Sequence, residues 1–263
     1  MTAHAESVEA RPGRLRRAGG GLIGAIRFLT IVPIPAVASR QDQFDLNDTL
    51  PWFPLVGAAI GAFAGALRVA CQPLLGRGPS TAIAMVGLVV ISGALHQDAL
   101  ADTADGLGVR GDRARRLAAM RDSATGAFGV LALIGWALLL FSTLESLTAT
   151  QVLHALIAAC AAGRLAALLH AAGAPPARHD GLGAGLRITP PALAIGAGIA
   201  LILIVAATGA ARGAVSAGVC GLVSATSAVL ARRTIGGSTG DTIGAAAALT
   251  EVAVCLALLV MRR

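Results

Sequence analysis

The sequence predicts an all-α fold: a polytopic integral membrane bundle of about seven transmembrane helices, preceded by an N-terminal re-entrant or interfacial helix. Three observations predict it. Hydrophobic residues make up 56% of the chain and charged residues only 13%, about half the share found in soluble domains. Mean hydropathy is +0.75. Seven apolar stretches recur along the chain, most near the roughly 17–25 residues needed to cross a bilayer. Their many Ala and Gly residues suit close helix–helix packing without a water-driven core.

Met1 to Gly20 reads as a disordered basic arm, and residues 21–263 as a single membrane-embedded domain. Gly21 to Val32 is the short N-terminal helix. Arg11 to Arg17 and Ala36-Val-Ala38 imitate the parts of a signal peptide, but Arg27, Pro33 and Pro35 interrupt the apolar core such a peptide needs. The spans then run Phe53–Leu75, Ser80–Leu95 continuing toward Leu100, Ala127–Leu144, Gln151–Ala172, Ala192–Ala210, Ala214–Ala231 and Ile243–Met261. No internal repeat is visible, which gives an inverted-repeat transporter little support. Cys71, Cys160, Cys220 and Cys255 stand singly in apolar runs, without metal or disulfide spacing, and read as packing residues.

All 21 basic residues are Arg. With a cytoplasmic N-terminus and seven crossings, 15 of them fall on the cytoplasmic side, in the N-terminal arm, His96–Ser123, Gly173–Arg187 and Arg232–Asp241. Arg77, Arg212, Arg262 and Arg263 fall outside, and Arg68 and Arg164 lie within spans. That bias fits the positive-inside rule, with Arg262 and Arg263 the discordant pair. Nucleic acid is excluded as a partner: aromatics are only 3% of the chain, too few for a basic face interleaved with stacking rings.

The most informative stretch is His96-Gln-Asp-Ala-Leu-Ala-Asp-Thr-Ala-Asp-Gly106. At about 100° per residue, Asp98, Asp102 and Asp105 fall within roughly 60° of arc on one helical face. The expectation is that they end the membrane helix begun at Ser80. Clustered carboxylates there need a cation, and Mg²⁺ on carboxylates usually serves a phosphate; the alternative is a solvated helix end. Asp112 caps a short helix to Met120. Arg121 and Asp122 then pair a phosphate-binding cation with another possible metal ligand, or form an interfacial ion pair. Arg232-Arg-Thr-Ile-Gly-Gly-Ser-Thr-Gly-Asp-Thr-Ile-Gly244 reads as a phosphate nest at a helix start, offering Gly237, Thr239, Gly240 and Asp241 to a substrate, or as a glycine-rich turn. Arg164 at mid-span needs a partner or a ligand. His96 stands about 160° around the helix from Asp98; a satisfied interfacial histidine is its simplest role, substrate contact the functional one. His154, His170 and His179 carry no usable pattern.

Trp52-Phe-Pro-Leu-Val-Gly57, the His96–Gly106 string, Met120-Arg-Asp-Ser123 with Gly126-Ala-Phe-Gly129, and Gly236-Gly-Ser-Thr-Gly-Asp-Thr-Ile-Gly-Ala245 resemble, in order, the signature blocks of the cobalamin synthase family. Phe28-Leu-Thr30 with Pro33-Ile-Pro35 is similar to its N-terminal block. The resemblance spans Phe28 to Glu251. The chain has Gln97 and Ala99 around Asp98 where the family has Leu and Gly, Ile31 where it has Arg, and Ala118 and Ala248 where it has Glu.

The resemblance implies an adenosylcobinamide-GDP ribazoletransferase, which closes the nucleotide loop of cobalamin. The cobinamide phosphate of adenosylcobinamide-GDP passes to α-ribazole or α-ribazole 5′-phosphate, and GMP leaves. Asp98, Asp102, Asp105 and Asp122 would hold Mg²⁺ and Arg121 would offset charge on the phosphate; His96, Arg164 and the Gly237–Asp241 segment would contact substrate. The implied setting is the cell inner membrane, multi-pass, with the active site on the cytoplasmic side; a homo-oligomer is compatible. Two other classes were weighed, a CDP-alcohol-type phosphotransferase and an ion or solute transporter. The first lacks its aspartate-glycine-alanine-arginine run here. The second predicts polar residues at the bilayer midplane.

Overall fold

The computed structural model describes residues 14–34 and 46–262. The basic arm before Arg14, the Ala36-Val-Ala38 site and Arg40 lie outside the described residues. Among the described residues there is no strand, only an isolated bridge between Pro176 and Ser238. The helices are α1 (Arg14–Leu29), α2 (Leu46–Thr49), a 3₁₀ turn (Leu50–Trp52), α3 (Phe53–Leu75), α4 (Arg77–Ile91), α5 (Leu95–Gly108), α6 (Arg113–Ala119), α7 (Ala127–Glu145), α8 (Ala149–Gly173), α9 (Leu182–Gly185), α10 (Pro190–Thr208), α11 (Ala210–Ile235) and α12 (Gly240–Val260). Six are long and apolar enough to span a membrane, and α4 and α5 reach that length only as a pair bent by 86°.

Local sequence sets the ends. Thr148 and Gln151 form a capping box for α8, and Thr239 and Thr242 one for α12. Thr189 caps α10 ahead of Pro190. Gly76, Gly209 and Gly236 take positive φ where one helix hands over to the next.

Helix α8 is the axis of the bundle, with 78% of its apolar window buried. Its neighbour α3 approaches it along Gly57, Gly61 and Gly65. A Cβ there would stand 2.4 Å from the Cys160 carbonyl, 2.1 Å from the Leu156 carbonyl and 2.6 Å from Leu153 Cα. That is a stripe of small residues letting two backbones touch. Gly244 does the same between α12 and α5, where a Cβ would lie 2.5 Å from Ala99.

The crossings alternate. Ile31 at the end of α1 donates to the Ile91 carbonyl at the end of α4 (2.9 Å), Arg187 to Asn47 (2.7 Å), and Ser238 to the Pro175 carbonyl (2.7 Å). These contacts define one face of the bundle. The opposite end joins Arg68 to Ser80, and Arg262 to the Ser146 carbonyl. With α4 counted as a crossing, the chain traverses seven times, leaving Arg262 on the far face.

Most span ends shift by up to four residues from the sequence reading, and two differences are larger. Helix α1 begins at Arg14 rather than Gly21. The second span does not run on into the aspartates. It stops at Ile91, Gly93 and Ala94 take φ of 60° and 57°, and α5 leaves at 86°. Ala94 is the one non-glycine among the described residues with positive φ, a conformation that hydropathy does not encode. The aspartates therefore ride a separate helix laid beyond the crossing.

Candidate active site at one face of the bundle

Helix α5 presents its acidic residues toward the loops of this face. Asp98 is exposed, Asp102 and Asp105 half-buried. Burial pushes the Asp102 carboxyl up to about 6, and the charges of Asp98, Asp241 and Asp105 push the same way. Four carboxylates thus act on one region, three from α5 and one from the first turn of α12.

Each is held differently. Asp105 accepts from the backbone N–H of Gly126 (2.7 Å) and Gly129 (2.9 Å), so its carboxylate caps α7 from outside that helix. A Cβ on either glycine would meet the carboxylate at 2.5 or 2.4 Å, which requires the Gly126-Ala-Phe-Gly129 spacing. Asp241 accepts from Arg178 at 3.3 Å and from the Thr239 hydroxyl at 3.2 Å. Among the described residues no hydrogen bond ties Asp98 or Asp102 to another side chain.

The segment before α12 is a clamp. Ser238 exchanges backbone hydrogen bonds with Pro175 and Ala177, both 2.7 Å. A Cβ on Gly237 would stand 2.1 Å from the Pro175 carbonyl. Thr239 N–H goes to the Thr242 hydroxyl (2.9 Å), which also meets His170 Nε2 (3.1 Å), while His170 Nδ1 meets Ser227 (2.9 Å). His170 fastens the start of α12 to α8 and α11.

Between α1, α3, α5, α8 and α12 lies a cavity of about 260 Å³. Asp98, Asp241 and Arg178 line it, with Gly240 and Gly183. Deeper in, His96 (4% exposed) and Arg164 (1%) line it too. Arg164 is ion-paired across the bundle with Glu251 of α12, itself buried.

The cobalamin-5-phosphate synthase family model matches residues 21–259. The chain is 38% identical over 251 residues to an adenosylcobinamide-GDP ribazoletransferase of Azorhizobium caulinodans, covering 91% of this chain and 95% of that one. It is 41% identical over 234 residues to the one from Mesorhizobium japonicum (87% and 88%), and 36% over 252 residues to the one from Klebsiella pneumoniae (89% and 97%). The chain belongs to the cobalamin-5-phosphate synthase family. No solved structure matches it. Membership bears out the resemblance carried by the sequence blocks and sets aside the CDP-alcohol and transporter readings.

In this family member the structure sorts the sequence candidates. Asp98 and Asp105 are near enough to Asp102 to act on its carboxyl, but among the described residues no three His, Cys, Asp or Glu side chains are placed to hold a metal ion, and Asp105 is spent on the α7 cap. Asp122 does not join them: it is exposed and closes its own turn by accepting from Ala124 N–H at 3.0 Å. The fourth carboxylate is Asp241, which the sequence reading placed in a phosphate nest. Gly240 and Asp241 do line the cavity. Gly237 and Thr239 are buried in the clamp instead, their N–H groups satisfied by Ala231 and Thr242, so the nest is largely occupied by the protein itself. Arg121 is exposed and paired with Asp180 at 2.5 Å. His96 shares the cavity with Asp98, since the cavity reaches around the first turn of α5.

The sequence reading missed Arg178, Glu251 as the partner of Arg164, and His170. The basic loop after Pro175-Pro176 was a signal for Arg178. Glu251 lies 87 residues from Arg164 and no local pattern joins them.

Proposed function

We propose that the chain transfers the cobinamide phosphate of adenosylcobinamide-GDP to the ribose hydroxyl of α-ribazole or its 5′-phosphate. The hydroxyl oxygen bonds to the phosphorus joined to cobinamide, the bond to the GMP oxygen breaks, and the hydroxyl proton passes to a carboxylate of the face. The observation that carries this is a cavity lined by Asp98 and Asp241, with Asp102 close enough to feel both charges, in a chain whose relatives bear that activity in their names.

Mg²⁺ suits hard carboxylate oxygens such as those of Asp98, Asp102 and Asp241, where burial and then the neighbouring charges raise Asp102. Among the described residues no three carboxylate, imidazole or thiol groups are close enough to hold an ion by themselves. Asp98, Asp102 and Asp241 would contribute, with water and substrate oxygens completing the shell, as Mg²⁺ prefers. Bound there, it would neutralise the diphosphate and act as Lewis acid. The protein's own part is positioning. Arg178, held by Asp241, stands where it can meet a phosphate, and Arg121 becomes available if Asp180 lets it go. Buried Arg164 keeps positive charge at the cavity floor.

We place this face in the cytoplasm, at the inner membrane, from the Arg bias of its loops. The test of function is GMP release by the detergent-purified protein given adenosylcobinamide-GDP, α-ribazole and Mg²⁺. Release dependent on all three supports the reading. A folded protein that releases none, or that turns over a CDP-alcohol lipid, refutes it. Ser123→Cys and Arg233→Cys, each in a cysteine-free background, should both label from the cytoplasmic side only.

A further inference from the structure

Resting on that reading, we infer that the cavity beneath the carboxylates is the seat of the acceptor's base: a flat, apolar nitrogen heterocycle with one free ring nitrogen. Its walls are largely apolar, with Phe28, Leu46, Phe53, Leu186 and Ile243 among them. Phe28 and Phe53 stack at 5.6 Å between centroids, 12° from parallel, making a broad aromatic wall. Among the described residues that line it, His96 and Arg164 are the buried polar side chains. His96 is 4% exposed and its Nδ1 has no partner. Arg164 is 1% exposed; Glu251 takes Nη1, and Nε has no partner. Buried polar side chains short of partners are costly, and a ligand nitrogen accepting from one of these two lining residues would be a single polar contact in an otherwise oily space.

The competing occupant is the guanine of the donor. Guanine carries an N1–H and an amino group as well as its acceptors, and its recognition calls for acceptors deep in the pocket. The carboxylates here stand at the opposite end. Asp98 is exposed and Asp241 is 21% exposed and held by Arg178, while the deep residues are a cation and an imidazole. A volume of about 260 Å³ excludes the corrinoid outright. With the base inside, the ribose of the acceptor is carried outward to the aspartates, where its hydroxyl must meet the diphosphate. The benzimidazole of α-ribazole has the required character: two fused rings, methyl groups, one unsubstituted nitrogen and no exocyclic donor.

The test is equilibrium binding, which needs no turnover. Wild-type protein in detergent is titrated separately with α-ribazole, by its own fluorescence, and with adenosylcobinamide-GDP, by calorimetry. His96→Leu removes the unpaired imidazole, and Leu46→Trp fills the cavity from its rim without touching a buried charge. Both should weaken α-ribazole binding about tenfold or more and leave adenosylcobinamide-GDP binding within about twofold. A melting curve on each variant separates misfolding from lost contact, and Leu46→Trp carries the inference if His96→Leu does not fold. Loss of adenosylcobinamide-GDP binding with α-ribazole unaffected would hand the cavity to guanine and overturn the inference. Unchanged binding of both ligands in both variants overturns it too. A wild-type protein that binds neither ligand fails the transferase reading itself, and the cavity assignment with it.

Discussion

The two ends of the bundle each bury an arginine, and they use it differently. At the far end Arg68 is wholly buried, bonds to the neutral acceptors Gln72 and Ser80, and is not among the residues lining the near-end cavity. At the near end Arg164 is equally buried, but it is paired with an acid, Glu251, and opens onto a cavity rimmed by aspartates. Arg212 and Arg262 at the far end are exposed. The difference teaches where this protein concentrates charge for chemistry. A buried cation in a membrane protein is expensive; one end neutralises it with hydroxyl and amide dipoles, whereas the other keeps a charged pair against a space of ligand size.

The largest effect that sharpens the contrast is on turnover. Asp98→Asn should lower GMP release by about 10²–10⁴-fold, the scale of lost electrostatic and metal assistance, with the melting curve unchanged. Arg212→Ala at the far end should change turnover by no more than about twofold. Parallel turnover assays on the two purified variants check both numbers.

Stability separates the two arginines next. Glu251→Leu leaves Arg164 charged and unpaired, and should cost about 3–5 kcal/mol. Arg164→Met with Glu251→Leu should recover most of that loss, though not activity. Arg68→Met loses neutral hydrogen bonds only, about 1–3 kcal/mol. Reversible unfolding in mixed micelles would rank them; equal costs for Glu251→Leu and Arg68→Met would erase the distinction between the ends.

A smaller effect falls on Asp105. Asp105→Ala should cost about 1–2 kcal/mol through the lost cap of α7 and should raise amide exchange at Gly126 and Gly129, which now donate to it. An unchanged exchange pattern would free Asp105 from that structural duty. The smallest is Ala94→Gly. It relieves an alanine held at φ 57° and should stabilise the protein by about 1 kcal/mol, with the break between α4 and α5 preserved.

These regions also differ in how far the sequence disclosed them. Every long span was legible, because hydropathy is summed over neighbours along the chain and Phe53–Leu75 or Ala127–Glu145 needs no tertiary context. The shared face of Asp98, Asp102 and Asp105 was legible for the same reason, being helical period alone. The break at Gly93–Ala94 was not, since the apolar run continues across it and only backbone geometry marks the stop. That Asp241 rather than Asp122 lies near the α5 aspartates was not legible either, because choosing between them requires knowing which loop folds over α5. Gly237 and Thr239 looked like ligands for a phosphate because a nest and a clamp share one composition; the partners at Pro175 and Ala177, some sixty residues away, decide it. Of the departures on α5 and α12, Gln97 and Ala248 are buried and do not line the cavity, whereas Ala99 does.

Whether the near-face carboxylates hold one cation that serves a diphosphate, as proposed, is tested most directly by Mn²⁺ binding followed by electron paramagnetic resonance, with Mn²⁺ standing in for Mg²⁺. The wild-type protein should bind the ion competitively with Mg²⁺, more tightly in the presence of GDP. Affinity should fall as pH drops below about 6, where Asp102 is held up by burial and by Asp98, Asp241 and Asp105 and takes up a proton. Asp98→Asn and Asp102→Asn should each weaken binding at least about tenfold, while Arg212→Ala binds as wild type. Folded Asp98→Asn and Asp102→Asn proteins that bind Mn²⁺ as the wild type does would contradict the account.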